Sequence, residues 1–575
     1  MFSLLNEPWI KAVDAEGNQV VIGIRDVFDG SKEISSIQGD SPAQNYAVTR
    51  LLLAIFWRAH HPDTEVDPGE AFDHAEWFED LREQLQDSGR DDAVLGYLKN
   101  YEDRFDLVGV KYPFMQVADL HVSSGEIKPV AYIDPEIKDP QFSMRAGVER
   151  DSLSLAEAAR WLVYVQAYDY SGIKSGVVGD SRVEGGKGYP IGTGWSGMTG
   201  GTLVVGENLL DTLLLNTPKE AILSAEDRPV WERNPDGPDE RLTVGESPFP
   251  QGAADLATWQ SRRVRLHVED DRVCGVVVSN GDRIPDAGAN IFGDPMTPYR
   301  YSTNKSKKGR DVYYPRPYDT SRTMWKAFDA LVVAETDGGF SGKDKAPKRP
   351  RTIDSLALLA QKVDGVPPVL NIELVSIEYD DKASSVSTTY ASQMSMPVIV
   401  LMEQSEYLRG QVREAVVATN KATYALGEFI RHLYIAAGGH EKREKDRRKN
   451  SSREQEAVDL ALGELEPRFN TWLRGLADLT AEQASGPNEN LDERMTNWQK
   501  TVRDAIDVQA KIALRGAGPR AFVGRVLDQS EESKGRVVSA YDYYQRLQWM
   551  LDENLPRTHS DKGKANEDNM KENAS

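Results

Sequence analysis

Residues 168–201 combine a high density of glycine with three cationic side chains. Eleven of the thirty residues in 172–201 are glycine, and Lys174, Arg182 and Lys187 lie among them. Because glycine loses much backbone entropy on folding, such a segment is either a flexible surface loop or a place where backbone closely approaches a ligand. Backbone without bulky side chains fits a narrow groove, such as the minor groove of DNA. The segment therefore indicates binding, and a surface loop whose glycines only permit turns is the alternative.

Histidines and short motifs argue against catalysis. None of the eight histidines forms an H-E-x-x-H or similar metal pattern, and His60 and His61 close an apolar helix, where a surface or capping role is expected. The sequence has no G-x-S-x-G, no Walker A motif and no G-x-G-x-x-G after a convincing strand. We therefore expect a chain that is not an enzyme and has no cofactor. An enzyme whose cleft is hidden from sequence inspection is the alternative.

The single cysteine, Cys274, lies in the apolar run DRVCGVVV, which predicts a buried strand. One cysteine excludes an intramolecular disulfide and a cysteine-rich zinc site. No run approaches eighteen uninterrupted apolar residues, and the first residues lack the pattern of a secretory signal. These features predict a cytoplasmic protein with no membrane partner.

The formal net charge of −22 argues against non-specific wrapping of nucleic acid, but binding depends on local patches. Basic residues cluster in YRYSTNKSKKGRDVYYPR, which includes Lys305, Lys307 and Lys308, and in GKDKAPKRPRT. Much of the compensating acid lies elsewhere, near the N-terminus. Charge is therefore expected to be segregated over the surface.

The elements that must position these residues change in character along the chain. Up to residue 396, short β-rich runs such as RRVRLHVED alternate irregularly with helical patterns such as SLAEAARWLVYVQAY. One helix should begin after Ser41 and Pro42, a favourable pair of capping residues. This predicts an irregular α+β (mixed α/β) N-terminal domain over 1–396.

Beyond residue 396 the pattern is helical. Four long amphipathic segments with short polar or glycine-bearing links predict an all-α C-terminal four-helix bundle over 397–555. The polar residues 556–575 are expected to form a disordered tail.

Several segments, in register over nearly the whole chain, resemble the CasA family, the large subunit of the type I-E CRISPR surveillance complex Cascade. The segments that carry the resemblance are LLNEPWIKAVDAEGNQVVIGIRDVF, KYPFMQV, YSGIKSG with GMTGGTLVV and NLLDTLLLN, RPVWER, and ELVSIEYDDKASSVSTT. Each motif is weak by itself, and their common order is what makes the resemblance specific.

The resemblance implies a non-catalytic subunit of a crRNA-guided antiviral complex. It implies recognition of the protospacer-adjacent motif (PAM) from the minor groove of double-stranded target DNA, opening of the duplex for R-loop formation, and recruitment of a helicase–nuclease. The other Cascade subunits with crRNA are the implied partners. A purely architectural subunit, with the motif read elsewhere, is the alternative.

The resemblance also implies positions for the DNA-contacting residues. The family's glycine loop falls on Tyr170, Ser171, Gly172, Ile173 and Lys174, where only Gly172 keeps the glycine character. Its glutamine-bearing wedge falls on Asp381, Lys382 and Ala383, with lysine in place of glutamine; an ordinary hairpin tip is the alternative there. Lysine can insert its aliphatic stem while its ammonium meets a phosphate.

Two further assignments follow from the resemblance. Arg145 lies in the place of a mobile loop that approaches the motif. The cluster at Lys305, Lys307 and Lys308 is the nearest candidate for a groove-contacting lysine, and a solvated loop is the alternative. Residues 179–194 are expected to form a flexible, partly disordered extension after the glycine loop.

Overall fold

The structure is a computed structural model of the 575-residue chain. The residues it describes are 1–62, 72–135, 145, 147–243, 245, 248–307, 309–319, 323–338, 340, 345–439, 452–526 and 537–559. The chain divides into two compact units, one formed by 1–320 with 330–394 and the other by 321–329 with 395–575.

The first unit is rich in short strands, and one further strand pair lies in the second. In chain order the strands of the described residues are β1 (Ile10–Asp14), β2 (Gln19–Ile22), β3 (Ile34–Ile37), β4 (Leu153–Ser154), β5 (Lys174–Ser175), β6 (Lys187–Gly188), β7 (Gly201–Val205), β8 (Arg262–Glu269), β9 (Arg272–Asn280), β10 (Tyr299–Tyr301), β11 (Tyr313–Pro315), β12 (Val369–Tyr379), β13 (Val386–Pro397), β14 (Arg525–Val526) and β15 (Val537–Val538).

Helices are short in the first unit, apart from three, and long in the second. In chain order they are α1 (Pro42–Ala59), α2 (His74–Ser88), α3 (Asp92–Lys99), α4 (Val148–Asp151), α5 (Leu155–Tyr168), α6 (Trp195–Met198), α7 (Leu209–Leu215), α8 (Lys219–Leu223), α9 (Ala253–Ala257), α10 (Thr323–Val332), α11 (Arg351–Leu359), α12 (Val398–Leu401), α13 (Glu406–Ala436), α14 (Ser452–Arg474), α15 (Ala481–Ser485), α16 (Glu489–Gly516) and α17 (Ala540–Asn554).

Three small sheets, each of three strands, organise the first unit. Their strand orders are β2-β1-β3, β13-β12-β7 and β4-β9-β8. The pairs β1–β2, β12–β7 and β8–β9 are all antiparallel. Tight turns join the consecutive strands β1–β2 and β8–β9, whereas β7 and β12 pair although four other strands lie between them in the chain.

Helix α1 forms the centre of the first unit. It begins where the sequence predicts, because the Ser41 hydroxyl accepts a hydrogen bond from the Gln44 N–H (3.2 Å) and Pro42 occupies the first turn. All but a few of its side chains are buried. Arg50 on this helix makes an ion pair of 2.7 Å with the buried Asp294, which also accepts from the Trp195 indole N–H.

The KYPFMQV motif has an architectural role. The Gln116 side chain is buried, and its amide donates to the Leu107 carbonyl (2.7 Å) while its oxygen accepts from the Leu266 N–H of β8 (2.9 Å). Met115 has a φ of 53°, a left-handed conformation that turns the chain into this position. The motif thus attaches residues 107–117 to the central hairpin β8–β9.

The second unit is helical. Helix α13 packs against α14, α16 and α17, and Trp498 of α16 donates its indole N–H to the Thr419 hydroxyl of α13 (3.1 Å). Trp325 belongs to this unit because its ring lies 4.8 Å from that of Phe469, centroid to centroid. The predicted fold class, mixed in the N-terminal part and helical in the C-terminal part, is confirmed; a closed four-helix bundle stays a prediction.

Three local predictions differ from the structure. Cys274 lies in β9 as predicted but is exposed. Side chains alternate between the two faces of the strand, so Val273 points inward and Cys274 points to solvent; from Gly275 onward the residues on both faces of β9 are buried. The fourth C-terminal helix, expected over SKGRVVSAYDYYQRLQWMLDENL, begins only at Ala540, because Val537 and Val538 pair with β14 and Ser539 caps the helix.

The expected tail also differs at its start. Residues Pro556–His559 form a 3-10 turn, and the Arg557 N–H donates to the Gln499 side chain (2.9 Å). The rest of the expected tail, 560–575, lies outside the described residues.

Candidate nucleic-acid interface

Helix α5 positions the first candidate segment. Ser154 caps it with a complete capping box, since its hydroxyl accepts from the Glu157 N–H (3.3 Å) and the Glu157 carboxylate accepts from the Ser154 N–H (3.4 Å). Most of the helix is buried, and it ends at Tyr168. A rigid buried helix fixes the point from which residues 169–174, here called loop 169–174, emerge.

A buried arginine from another strand holds loop 169–174. The Arg262 side chain is 1% exposed, and its Nη2 donates to the carbonyls of Tyr170 (2.8 Å) and Gly192 (2.9 Å). Its Nε also pairs with the Asp169 carboxylate. The Ser171 hydroxyl accepts from the Gly192 N–H at 3.2 Å. Residues 170–171 and Gly192 of the glycine-dense segment therefore meet beside this guanidinium.

The structure separates the five predicted residues of this loop into buried and exposed ones. Lys174 is buried: its Nζ lies 2.5 Å from an Asp169 carboxylate oxygen and 3.9 Å from the centroid of the Tyr170 ring. Its ammonium is therefore used inside the protein, a correction to its expected role as a DNA-contacting cation. Ile173, at 57% exposure, is the side chain that the loop presents to solvent.

Gly172 is required by local packing. A Cβ at this position would lie 2.9 Å from a carbon of the Tyr170 ring. Burial raises the pKa of the Tyr170 hydroxyl above its ordinary value. The glycine lets the chain cross this ring closely, which sets the course of the loop toward Ile173.

Residues 179–194 are ordered, which corrects the expectation of a flexible extension. Strands β5 and β6 pair Lys174 with Gly188, and Arg182 donates to the Gly281 carbonyl (2.8 Å) and to Asp180 (2.9 Å). A Cβ on Gly176 would lie 2.5 Å from the Gly186 backbone. Glycines here permit turns and close backbone contacts inside the protein, a use that composition could not distinguish from flexibility.

The second candidate segment is the tip of the β12–β13 hairpin, residues 380–385, here called tip 380–385. Asp380 organises it: its carboxylate accepts from the N–H groups of Lys382 (3.2 Å) and Ser384 (2.6 Å) and from the Ser384 hydroxyl (2.7 Å). These bonds lower the pKa of Asp380 to about 2. Ala383 has a φ of 51°, the left-handed conformation of a tight turn.

This order leaves two predicted residues of the tip in solvent. Asp381 and Lys382 are exposed, and the Lys382 ammonium makes no ion pair with any described residue. Its cationic end is therefore available to a ligand.

Loop 169–174 and tip 380–385 are connected at their bases. The hydroxyl of Tyr379, the last residue of β12, donates to the Tyr168 carbonyl at the end of α5 (2.7 Å). Burial raises the pKa of Tyr379 well above its ordinary value, so the hydroxyl remains a donor. The structure brings these two predicted segments together.

Arg145 is held elsewhere. Its guanidinium lies 3.0 Å from Asp134 and 2.6 Å from Glu157, in the first turn of α5. From Glu157 to Tyr168 the helix rises about 17 Å, so Arg145 is placed near the opposite end of α5 from loop 169–174.

Lys305 and Lys307 also lie apart from the connected pair. Both are exposed in the turn between β10 and β11, and the Lys307 N–H donates to the Arg310 carbonyl (3.0 Å). Within the described ranges no hydrogen bond or ion pair joins this turn to loop 169–174. Lys308 lies outside the described residues.

Sequence inspection missed the residues that support the interface. Tyr379 and Asp380 lie in the segment ELVSIEYDDKASSVSTT but were not singled out, and Arg262 had no motif of its own. Each acts through contacts more than two residues distant in sequence. The one available signal was arginine at the start of the predicted strand RRVRLHVE, since a buried arginine requires several acceptors.

Among the residues that the structure describes, no helix is long and apolar enough to cross a membrane. In the same ranges no three His, Cys, Asp or Glu side chains are grouped so that they could hold a metal ion.

Comparisons with known proteins match most of the chain. The family model of CRISPR-associated protein Cse1 matches residues 3–508. A curated relative, CRISPR-associated protein CasA/Cse1 of Thermus thermophilus, is 29% identical over 345 residues, or 58% of this chain. That alignment spans 60% of the relative, less than two thirds of its length.

Solved structures share the fold over nearly the whole length. The Cse1 of Thermobifida fusca is 33% identical with a TM-score of 0.79, over 97% of this chain and 98% of that one. The Cse1 of Acidimicrobium ferrooxidans is 23% identical with a TM-score of 0.73, over 96% and 99%. A chain of a CRISPR RNA-guided surveillance complex is 21% identical with a TM-score of 0.58, over 90% and 99%.

The family model covers most of the sequence, and the fold of the Thermobifida protein extends over both units. The resemblance noted from the motifs is therefore confirmed. The chain belongs to the Cse1 family of CRISPR-associated proteins.

Proposed function

We propose that this chain is the large subunit of a type I-E crRNA-guided surveillance complex and that it reads the PAM of double-stranded DNA from the minor groove. Membership of the Cse1 family supports the first part, as does the likeness in fold to a chain of a CRISPR RNA-guided surveillance complex. The other Cascade subunits with crRNA are then its partners.

One observation carries the assignment of the reading surface. Loop 169–174 and tip 380–385 share a base through the bond from Tyr379 to Tyr168, and the exposed side chains include the apolar Ile173 on the loop and the cationic Lys382, beside Asp381, on the tip. Two projections on one support can engage neighbouring positions of a duplex.

The exposed side chains suit a minor groove. An apolar side chain such as Ile173 can wedge between base steps, and partial unstacking of a step requires a few kcal/mol that new contacts offset. Lys382 can place its stem in the groove and its ammonium near a phosphate. Because the groove presents a degenerate pattern, such a reader tolerates several motif variants, while guide pairing supplies the long sequence specificity.

The family resemblance supports two further parts of the proposal. After motif recognition the subunit promotes opening of the duplex and R-loop formation, and it then recruits a separate helicase–nuclease. We assign no bond-breaking step to this chain. Lys305 and Lys307 are retained as secondary contacts to DNA, outside the connected pair, whereas Arg145 is not retained because Asp134 and Glu157 pair with it.

The proposal is tested with a complex reconstituted from this chain, its partner subunits and a guide. The complex is titrated against a duplex library with a randomised PAM, using wild type, Lys382→Ala, Gly172→Val and the control Lys99→Ala. Lys99 is an exposed lysine in the last turn of α3. Gly172→Val would push the Tyr170 ring and displace loop 169–174.

We expect wild type and Lys99→Ala to enrich the same short motif and the other two variants to lose that enrichment. Native mass spectrometry should show an intact complex in every case. Enrichment that survives both loop variants would contradict the site and favour the architectural alternative. Turnover of a nucleotide or nucleic acid by the purified chain, lost on a point substitution, would favour the enzyme alternative.

A further inference from the structure

Tyr112 lies between two cationic side chains on the surface of the first unit. The guanidinium carbon of Arg104 is 5.1 Å from the centroid of the Tyr112 ring, and the Lys111 Nζ is 4.6 Å from it. We call these three residues the Tyr112 cluster. Lys111 is exposed, and the preceding Val110 is 87% exposed, so the turn that carries them projects into solvent.

The two cations of the Tyr112 cluster have no carboxylate partner within 4 Å among the described residues. Arg104 donates only to main-chain carbonyls, those of Arg233 (3.0 Å) and Val230 (3.3 Å). Burial lowers the pKa of Arg104, although Asp103 and Tyr112 partly oppose this effect. The nearest acids do not pair with it: Asp103 stays beyond ion-pair distance, and Asp236 is held by Arg233 at 3.4 Å.

Several part-buried arginines of the same unit are paired with carboxylates. Arg58 lies 2.8 Å from Glu232, and Arg241 lies 3.0 Å from Asp255. Arg272, in contrast, is held within the described part of the chain by the hydroxyl and carbonyl of Ser152 alone. What distinguishes Arg104 is a second cation without a carboxylate partner in those ranges, Lys111, beside the same ring, and two such cations together can bind an anion from another molecule.

We propose that the Tyr112 cluster binds a phosphate of a nucleic-acid backbone. A phosphodiester offers two anionic oxygens to the guanidinium and the ammonium together, and Tyr112 fixes the spacing of the two cations. The cluster also lines a cavity of about 30 Å³ whose far wall includes Arg262, the residue that holds loop 169–174. The identification of the polyanion as nucleic acid rests on the proposed function.

The test measures binding of the full chain to two probes of equal length, a random-sequence DNA duplex and a single-stranded RNA, over a series of salt concentrations. The variants are Lys111→Ala and Arg104→Gln. Their matched controls are Lys99→Ala, an exposed lysine, and Arg90→Gln, an arginine paired with Asp92 at 2.7 Å. Each control removes the same charge from a site without the proposed contact.

The plot of log K against log salt concentration has a negative slope. Loss of one phosphate contact makes that slope less steep, by about 0.9 for duplex DNA and about 0.7 for a single strand. We expect this change in both variants, for at least one probe, with no change in the controls and no change in the enriched PAM. A change with duplex alone identifies target DNA as the source of the phosphate, and a change with RNA alone identifies the guide.

An unchanged slope with both probes would overturn the inference, as would slopes that change equally in the controls. Lys111 is exposed, so Lys111→Ala gives a folded variant even if Arg104→Gln, which also loses two carbonyl contacts, does not. The result is separable from the proposed function, because PAM enrichment and salt slope are measured independently.

Discussion

The hydroxyl of Tyr379 donates a 2.7 Å hydrogen bond to the carbonyl of Tyr168, and so joins the end of β12 to the end of α5. The two residues are 211 positions apart in sequence. Their contact gives loop 169–174 and tip 380–385 a common support. The proposed reading of DNA depends on that support as much as on the exposed side chains.

Replacing Tyr379 by Phe removes this bond and leaves the rest of the ring. We expect a loss of about 1 kcal/mol in the free energy of unfolding, since a buried carbonyl loses its donor. PAM enrichment should weaken, because loop and tip no longer keep a fixed spacing. Thermal unfolding and the randomised library measure the two effects. Enrichment equal to wild type in Tyr379→Phe would show that the common support is not needed.

Asp380 makes the order of tip 380–385 dependent on pH. The pKa of Asp380 in the folded protein, about 2, is below the ordinary value of 3.8, because the turn donates hydrogen bonds to the ionised carboxylate. The carboxylate therefore stabilises the folded tip fully above pH 3.8, and this stabilisation is lost as the pH falls through about 2. Asp380→Ala should remove that order at neutral pH, with faster hydrogen exchange at the Ser384 amide. Asp381→Ala, an exposed neighbour that does not hold the turn, is the control. Equal exchange in the two variants would contradict this role.

Among the residues that support loop 169–174, Arg262 should be the one whose replacement lowers the free energy of unfolding most. In Arg262→Met the carbonyls of Tyr170 and Gly192 lose their donor, while the Asp169 carboxylate keeps Lys174 as its partner. We expect a loss of about 2–4 kcal/mol in the free energy of unfolding, because two buried carbonyls are left without a donor. Released from its packing, Lys174 should become a site of tryptic cleavage. Limited proteolysis followed by mass spectrometry measures this. Continued resistance at Lys174 would show that other contacts hold the loop.

Asp227 should make the first unit less stable as the pH rises. Burial raises its pKa to about 6, although it accepts from the N–H groups of Ala254 and Asp255, both at 2.8 Å. An acid with a raised folded pKa favours the folded state while protonated, so stability falls between about pH 4 and 6, by about 3 kcal/mol in total. Asp227→Asn should flatten this slope in urea unfolding at a series of pH values. If the stability of Asp227→Asn falls with pH as steeply as that of wild type, another group causes the pH dependence.

The elements were predictable where local signals agree with packing. Helix α1 begins at Pro42 because capping and the apolar pattern point to the same residue, and the strand of RRVRLHVED and the helix of SLAEAARWLVYVQAY are present as β8 and α5. The start of α17 was wrong because Val537 and Val538 continue the helical pattern in sequence but pair with β14 in space. Such pairing depends on a partner that the local sequence does not contain.

The resemblance indicated two segments of a candidate site, whose role stays a prediction, and the structure places them on a common support. The state of their side chains was not predictable, because the burial of Lys174 depends on Asp169 and the Tyr170 ring, a geometry no motif encodes. Similarly, Arg145 carries a charge that Asp134 and Glu157 neutralise. A cation read from sequence is a surface charge only if the fold provides no nearby acid.

The hydrogen bond between Ser171 and Gly192 closes a segment whose ends are 21 positions apart. Each doubling of the length of a flexible loop costs only about 0.6 kcal/mol of closure free energy, and this low cost applies where the chain is not packed. Gly185 lies in such a place, since an added Cβ there would meet nothing within 4 Å, whereas Lys174 and Gly188 are paired as strands. An insertion at Gly185 should therefore be tolerated while the course of the chain through Ile173 is preserved.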